Sequence, residues 1–295
     1  MLLSIVIVNY NGRRFLADCL DSIKTHVSCS HEVIIVDNAS SDGSCELLRT
    51  QYPWVRLARS SVNTGFAKGN NIGVAVATGQ YILLLNNDTK LLTDVAPALS
   101  ILENEEEVGV VGAMMFGRDN GYRHSCGYFP SPMRLIRISS LYRKNGPFRF
   151  GEFGENLPPY YPVDWVEGSF LLSRRELWRK LGGLDEACFM YGEDVDFCRR
   201  IRDAGYLSVY CRHVRYVHYV GYSHGRLPMI VKGFMRFHRR HSGVGTRIAV
   251  GVILGAKLVT TYLSNMLLFL AKGSSSNREM MDVSRRAFAH LFEEH

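Results

Sequence analysis

Three carboxylates, Glu193, Asp194 and Asp196, fall within four positions directly after Gly192. Val195, Phe197 and Ile201 follow at roughly helical spacing, so the cluster sits where a helix begins. Free backbone N–H groups and the positive end of the helix dipole favour acids there, and a charged first turn alone would account for them. About a hundred residues earlier, Asn86-Asn87-Asp88 closes an apolar run. One acid at the end of a buried strand and others at a helix start imply a metal or general-base site in an α/β cleft.

Such a site needs elements to carry it. Residues 4–9 form a short β-branched apolar run, read as a buried parallel strand. After the Asn11-Gly12 turn, Phe15, Leu16, Cys19, Leu20 and Ile23 recur at helical spacing. Further strands are predicted at 33–36, 55–58, 81–85 and 108–113, with helices opening at Asp42-Gly43 and running over 66–77. Strands alternating with helices across short polar turns predict an α/β fold with a doubly wound, mostly parallel sheet. Ligands of such sheets bind beyond the C-terminal strand ends, where Asn9, Asp37 and Asp88 stand. The pattern then changes. Residues 129–162, rich in proline and aromatic side chains, read as a long mobile loop. Residues 163–173 read as one strand, and 207–211 and 215–219 as two short ones. From 227 the chain reads as helical; residues 248–271 carry a single charge, Lys257, and 273–276 form a linker.

At 295 residues and 46% hydrophobic content, the chain can bury the core of one large α/β domain with an appendage. The net charge of +7 is unevenly placed: Phe197 to Arg278 holds fourteen Lys or Arg and one acid, Asp203. A basic, aromatic-rich tail suits anionic lipid, phosphate-bearing ligands or nucleic acid. The seven cysteines include no CxxC pair, so neither a zinc knuckle nor a disulfide framework is indicated and a reducing compartment is expected. Residues 1–9 lack a basic n-region and run straight into strand chemistry, so they read as strand and not as a signal peptide.

Seven elements in order carry a resemblance: Ser4-Ile-Val-Ile-Val-Asn-Tyr-Asn-Gly12, Val36-Asp-Asn-Ala-Ser-Ser-Asp-Gly43, Asn63-Thr-Gly-Phe-Ala-Lys-Gly-Asn-Asn-Ile-Gly73, Leu85-Asn-Asn-Asp88, Glu167-Gly-Ser-Phe170, Gly192-Glu-Asp-Val-Asp196 and His218-Tyr-Val-Gly-Tyr-Ser223. The set resembles the inverting family 2 glycosyltransferases with a GT-A fold, especially their rhamnosyltransferase-like branch. It covers about three quarters of the chain. The resemblance implies a GT-A domain over 1–225, with a nucleotide-binding half at 1–113 and an acceptor and catalytic half at 114–225. Residues 226–295 would form a helical region that is membrane-associated or oligomer-forming.

The resemblance also implies roles. Asp37 would accept the imide N–H of a uracil or thymine base, over a floor made by Asn9 and Tyr10. Asn63, Gly65, Lys68 and Asn87 would contact the rest of the nucleotide, with Gly65 and Gly69 admitting close backbone approach. Asn86-Asn87-Asp88 replaces the family's Asp-x-Asp and lacks its first carboxylate. Asp88 and His218 would then hold a divalent ion, Mn²⁺ or Mg²⁺, together with diphosphate oxygens. Asp194 would be the catalytic base with Glu193 its neighbour, and Asp196 would lie elsewhere on the helix. Trp165, Glu167 and Gly168 would line the acceptor side.

The function expected is an inverting transfer of a sugar, with rhamnose leading, from a dTDP- or UDP-linked donor. The acceptor would be a saccharide or polyprenyl-linked saccharide at the cytoplasmic face of the plasma membrane, in cell-surface polysaccharide synthesis. The basic tail and the apolar 248–271 stretch imply an anionic membrane surface as partner, or a homo-oligomer through the C-terminal helices. A non-catalytic nucleotide-sugar-binding module is the alternative. Nucleic acid is not expected as a partner, because no helix-turn-helix, zinc or RNP-type element accompanies the basic residues.

Overall fold

The structure is a computed structural model that describes residues 3–137, 141, 158–219 and 224–292. Its first four strands are β1 (Leu3–Asn9), β2 (His31–Asn38), β3 (Arg56–Ser60) and β4 (Tyr81–Leu85), of which β1, β2 and β4 are built on apolar runs while β3 carries two arginines. They pair in parallel in the order β3-β2-β1-β4, connected by α1 (Arg13–His26), α2 (Ser44–Gln51) and α3 (Gly65–Val76). This is the doubly wound arrangement the alternation predicts.

Beyond β4 the sheet is mixed. After β5 (Thr89–Leu91) and α4 (Ala96–Asn104) comes β6 (Val108–Phe116), with two-residue strands β7 (Tyr122–Arg123) and β8 (Cys126–Gly127) and the short α5 (Pro132–Ile136). The single strand expected over 163–173 is divided into β9 (Tyr160–Val163), β10 (Trp165–Val166) and β11 (Phe170–Arg174). Two helices, α6 (Arg175–Leu181) and α7 (Glu193–Asp203), lead into β12 (Leu207–His218). The two short strands expected here are thus one, with its register against β6 shifting between Cys211 and Arg215. Of the expected loop at 129–162, the described ends hold α5 and β9; residues 138–140 and 142–157 lie outside the described residues. The full order is β3-β2-β1-β4-β11-β6-β12-β5, with β11 antiparallel to both its neighbours.

Alternating strand residues bury on opposite sheet faces. Ile5, Ile7 and Ile35 pack with Leu16, Leu20 and Ile23 of α1, Leu48 of α2 and Leu99 and Leu102 of α4. Val6, Ile34 and Leu84 pack on the other face with Ala67 and Val74 of α3, Trp178 of α6 and Phe197 and Ile201 of α7. The result is three layers, helices on both sides of one sheet. α3 lies unusually close to β1. A Cβ on Gly73 would stand 2.4 Å from Val6 Cγ1, and one on Gly69 would stand 2.9 Å from both Val8 methyls.

The chain divides into two compact units. One holds the sheet and comprises described residues of 3–129, 158–189 and 193–219. The other comprises 130–137, 141, 190–192 and 224–292 and contains α5, α8 (Leu227–His241), α9 (Val244–Lys272) and α10 (Ser275–Ala289). α9 begins earlier than the apolar 248–271 stretch, and the expected linker shrinks to Gly273 and Ser274, with Gly273 left-handed at φ 64° as a helix C-cap. Its buried residues are Val250, Leu254, Gly255 and Leu258. Val244, Ile248, Val252, Val259, Leu263, Leu267 and Leu270 are exposed. These seven recur every three, four or seven positions, so they form one apolar stripe along the outer face. The polar or small residues Arg247, Gly251, Lys257, Thr261, Ser264 and Asn265, which the sequence sets along one stripe, lie on the other side of the helix, and of them only Ser264 is exposed.

Because α3 rests on β1 without room for a methyl, Gly73→Ala is expected to lower stability by ~1–3 kcal/mol through overpacking, despite the better helix propensity of alanine. Urea unfolding of the variant checks this, and an unchanged or higher midpoint would contradict the packing account.

Candidate active site

Register alone gathers the polar strand ends. Asn9 pairs with Asp37 across β1 and β2, and β4 runs parallel to β1 with Val6 opposite Leu84, so Asn87 emerges beside Asn9. Asn87 Nδ2 donates to Asn9 Oδ1 at 2.7 Å, and Asn9 Nδ2 donates to Asp37 Oδ1 at 3.3 Å and Ser40 Oγ at 3.1 Å. Asp37 Oδ2 also accepts the Ser40 N–H at 3.2 Å. Asn9 and Asp37 are both fully buried. Tyr10, by contrast, is 51% exposed and is the surface a ligand meets first at this end. Asn11 and Ala39 hold positive φ, 51° and 66°, in the loops that follow β1 and β2. Non-glycine residues in that region are uncommon and gather where function constrains the backbone.

The Asn63-to-Gly73 segment is positioned differently from the sequence expectation. Asn63 Oδ1 accepts from Asn38 Nδ2 and from the Gly65 N–H, both at 3.0 Å, so it caps the start of α3. Gly65 has φ +82°, and an added Cβ would stand 2.4 Å from the Phe189 carbonyl oxygen, to whose residue the Phe66 N–H is bonded. Its lack of a side chain thus serves contact with residue 189, and that of Gly69 serves packing on β1. Lys68 is half exposed and 3.7 Å from Glu186. Asn38, buried and bonded to Thr64 and Gly65, organises this loop; the sequence reading passed over it.

A second group forms where β5 and β12 pair antiparallel. His218 faces Thr89, which brings it next to Asp88, and the Tyr219 N–H bonds to the Asp88 carbonyl at 2.9 Å. The Tyr219 ring stacks on Phe15 and its hydroxyl donates to Asp18, tying this strand end to α1. His218 Nε2 lies 3.1 Å from Asp88 Oδ1 and 3.3 Å from Asn86 Nδ2. Asn86, which stands where the missing carboxylate would be, is therefore engaged with the imidazole. Two ligands at ~2.1 Å from one octahedral ion lie about 3.0 Å apart, so the Asp88–His218 spacing fits a shared cation. Among the described residues no group of three or more His, Cys, Asp or Glu converges on one point. An ion held by this pair would need further oxygens from a ligand.

β11 brings in the third group. Phe170 pairs with Leu85 and the Asn86 N–H bonds to the Ser169 carbonyl, so Glu167 and Gly168 lie beside Asn86. Glu167 Oε1 is 3.8 Å from His218 Nδ1, which puts this side chain on the imidazole and not simply on an acceptor wall. The Gly168 N–H donates to Asp194 Oδ2 at 3.1 Å, and the Val195 N–H donates to Asp194 Oδ1 at 2.8 Å. A Cβ on Gly168 would meet the Phe66 ring at 3.0 Å. Trp165 spends its indole N–H on the Tyr128 carbonyl.

The three helix-start acids separate by environment. Asp196 is buried and paired with Arg200 at 2.8 Å, as expected of a structural carboxylate. Glu193 is 4% exposed, and its Oε2 has no hydrogen-bond partner among the described residues. Burial, followed by the charge of Asp194, holds its carboxyl well above the usual range. Asp194 remains half-buried. Burial raises its carboxyl too, while the Gly168 and Val195 N–H bonds pull it back. Asp194 is thus the acid that combines an elevated proton affinity with access. Tyr191 and Gly192 turn the chain into α7 with φ of 72° and 95°.

This geometry can be set beside known proteins. The chain is 29% identical over 241 residues to an N-acetylglucosaminyl-diphospho-decaprenol L-rhamnosyltransferase of Mycobacterium tuberculosis, covering 77% of this chain and 78% of that one. Its fold is similar to a Pyrobaculum calidifontis mannosyltransferase in complex with GDP-Man and Mn²⁺, with TM-score 0.56, 16% identity and coverage of 98% and 85%. It is also similar to GalNAc-T7 with UDP, GalNAc and Mn²⁺, with TM-score 0.60 and 16% identity over 81% of this chain and 48% of that one. Both are GT-A glycosyltransferases, and the mixed central sheet with C-terminal helices described above is of that type. The model of the family described as glycosyl transferase family 2 matches residues 4–163, just over half of the 295 residues, and the chain belongs to that family.

Proposed function

We propose that the protein is an inverting rhamnosyltransferase that uses a dTDP- or UDP-sugar and a polyprenyl-diphosphate-linked saccharide in cell-surface glycan assembly. The observation that carries this is the convergence of Asp194 and the Asp88–His218 pair on the Glu167-Gly168 turn. A partly buried carboxylate with raised proton affinity stands on one side of that turn, and a cation-spaced carboxylate and imidazole on the other. Rhamnose and the lipid-linked acceptor are supported by the name of the mycobacterial relative.

In this reading Asp194 takes the proton from the acceptor hydroxyl while the sugar–diphosphate bond breaks on the opposite face of the sugar. The Gly168 and Val195 N–H groups keep its carboxylate aimed and partly offset its burial. Asp88 and His218 would hold Mn²⁺ or Mg²⁺, which when bound stabilises charge on the departing diphosphate. Tyr10 offers its exposed ring to the base. Asp37, one layer beneath, orders Asn9 and the loop at Ser40, and reaches an imide N–H only where Ser40 gives way. Trp165 and the Gly168 turn would border the acceptor.

Glu193 would remain neutral beside Asp194. Its raised carboxyl means that, above the ordinary glutamate value of about pH 4.3, the folded chain keeps a proton that the unfolded chain has lost. Stability therefore falls as pH rises through that window.

The outer stripe of α9 supports peripheral attachment at a membrane. The stripe from Val244 to Leu270 spans 27 positions, roughly 40 Å of helix, and Leu268 is exposed beside it. α8 ends in Arg239, Arg240 and His241, which suit anionic headgroups, whereas His238 beside them is buried. By length and mean hydropathy of 1.5 alone, α9 could also cross a bilayer.

Incubation of the purified chain with a panel of dTDP- and UDP-sugars, Mn²⁺ and a lipid-linked acceptor is expected to give an inverted product. Asp194→Asn should lower kcat by ~10²–10⁴-fold with donor affinity kept. Near-normal turnover by that variant would assign the base elsewhere. For Glu193→Gln, the melting temperature relative to the unmutated chain is expected to climb as pH rises above the ordinary glutamate value, since the variant lacks the destabilising ionisation. Parallel profiles would mean that Glu193 titrates normally. On the membrane side, co-sedimentation with anionic liposomes at low salt and reduced binding at high salt are expected. Binding that resists alkaline wash would make α9 a span, and no binding at all would turn the stripe into a protein–protein surface.

A further inference from the structure

At the end of the sheet opposite the candidate active site lies a cavity of about 360 Å³. It is lined by Gln80, Tyr81, Arg174, Arg175, Glu176 and Arg179. Strand register puts it there. Arg174, the last residue of β11, stands opposite Tyr81, the first of β4, whereas Phe170 stands opposite Leu85, next to the Glu167-Gly168 turn. Four residue steps of strand, roughly 13 Å, separate these two ends. The cavity shares no residue with the site of Asp88, Asp194 and His218.

Three guanidinium groups meet in this cavity. Arg174 Nη2 donates to the carbonyls of Leu102 and Glu105, at the C-terminal end of α4. Arg175 Nη1 donates to the Ala77 carbonyl at 3.2 Å, at the C-terminal end of α3, and its backbone N–H donates to the Gln80 carbonyl at 3.0 Å. Carbonyls at helix C-termini attract cations, and these bonds fix two arginine heads through one nitrogen each, leaving their other donors over. Arg179 is exposed and stands one helical turn after Arg175, on the same face of α6. Like charges at that spacing repel. Among the described residues none of the three guanidinium groups forms an ion pair.

Three cations and the single acid Glu176 leave a charge of +2 on the lining. We propose that this cavity is a second ligand site, which takes the dianionic phosphate of an organic phosphoester, with Arg175 and Arg179 as its contacts and Arg174 adding to the field. The charges then cancel, where a single carboxylate would offset only half. The planar arginine fork also matches phosphate oxygens in pairs. The volume falls within the range of small-molecule sites and exceeds a bare phosphate, so the phosphate arrives with an organic portion of about monosaccharide size. None of this depends on the sugar-transfer reading.

The test is calorimetric titration of the full chain with glucose 1-phosphate, in chelator and at low salt. Saturable binding is expected, and Arg175→Gln combined with Arg179→Gln should weaken it by about tenfold or more, because hydrogen bonds between charged groups are lost. Asp88→Ala should leave it unchanged. Where the double variant does not fold, Arg179→Gln alone, at an exposed position, should still weaken binding by about threefold. A second arm measures co-sedimentation with phosphatidylcholine vesicles containing phosphatidic acid. If the sugar phosphate distinguishes the unmutated chain from the arginine variants, the ligand is a soluble phosphoester; if only the vesicles do, it is a lipid headgroup. If neither probe distinguishes them, through equal binding or none, the proposal is overturned. Equal loss of glucose 1-phosphate binding in Asp88→Ala overturns it as well, by placing the phosphate at the other end of the sheet. Sugar transfer is not read in either arm, so failure of that reading leaves this result intact.

Discussion

The antiparallel entry of β11 between β4 and β6 is the constraint on which the site depends. A purely parallel sheet would align Asn9, Asp37 and Asn87 at one edge and leave them without Glu167 and Gly168 beside them. Reversing one strand makes the chain arrive at that edge from beyond it. The residues just before β11, Glu167 to Ser169, are therefore laid beside the residues just after β4. The pairing of β12 with β5 does the same for His218 and Asp88 across 130 positions of sequence. Neither juxtaposition uses a side-chain preference. Both are consequences of ladder hydrogen bonds that a buried sheet must satisfy in full.

Gathering acids this closely has a cost that the structure meets in several ways. Asp194 receives two backbone N–H groups, Asp196 a guanidinium, and Asp88 an imidazole, while Glu193 receives neither and is driven toward its neutral form. Like charges in a poorly solvated site do not all ionise together. A row of acids thus becomes a set of distinct groups, one accessible and basic, one neutral, one structural. Environment makes this division, and residue type alone does not.

The sheet's first half was legible in the sequence because strand chemistry there is simple: apolar runs of five to eight residues, each ended by a polar turn. The same signals fail later for physical reasons. Asp164 and the Glu167-Gly168 turn break one apparent strand into three, and the polar pair Arg212 and His213 hides a continuous strand that crosses a register shift. α4 and α6 are two to three turns long, too short for periodicity to declare them. The glycines of α3 show the deeper ambiguity. Close approach to a nucleotide and close approach to Val8 or Phe189 call for the same residue, and only coordinates separate them. Asp37 is similar: a carboxylate at a strand end reads as a ligand group, and the structure adds that it also orders Asn9 and Ser40. The positions of Asp88, His218 and Asp194 were legible from motif order, whereas Asn86 and Glu167 gain meaning only from what stands across from them.

The helical unit poses the same question in apolar terms. Helix pattern in the sequence sorts residues by polarity, and it groups the polar residues of α9 along one stripe. Packing sorts them by which face finds a partner. Val250, Leu254 and Leu258 find one within the unit, and beyond Thr261 no residue of α9 is fully buried. A helix apolar on two opposite sides cannot satisfy both within a bundle of this size. Burying Val252, Leu263, Leu267 and Leu270 would each be worth about 1.5–3 kcal/mol, comparable in sum to the net stability of a whole domain. An outer face of that character is stable only against something else apolar. Under the proposed function, whose acceptor carries a polyprenyl chain, a lipid surface would supply that environment and confine enzyme and acceptor to one plane.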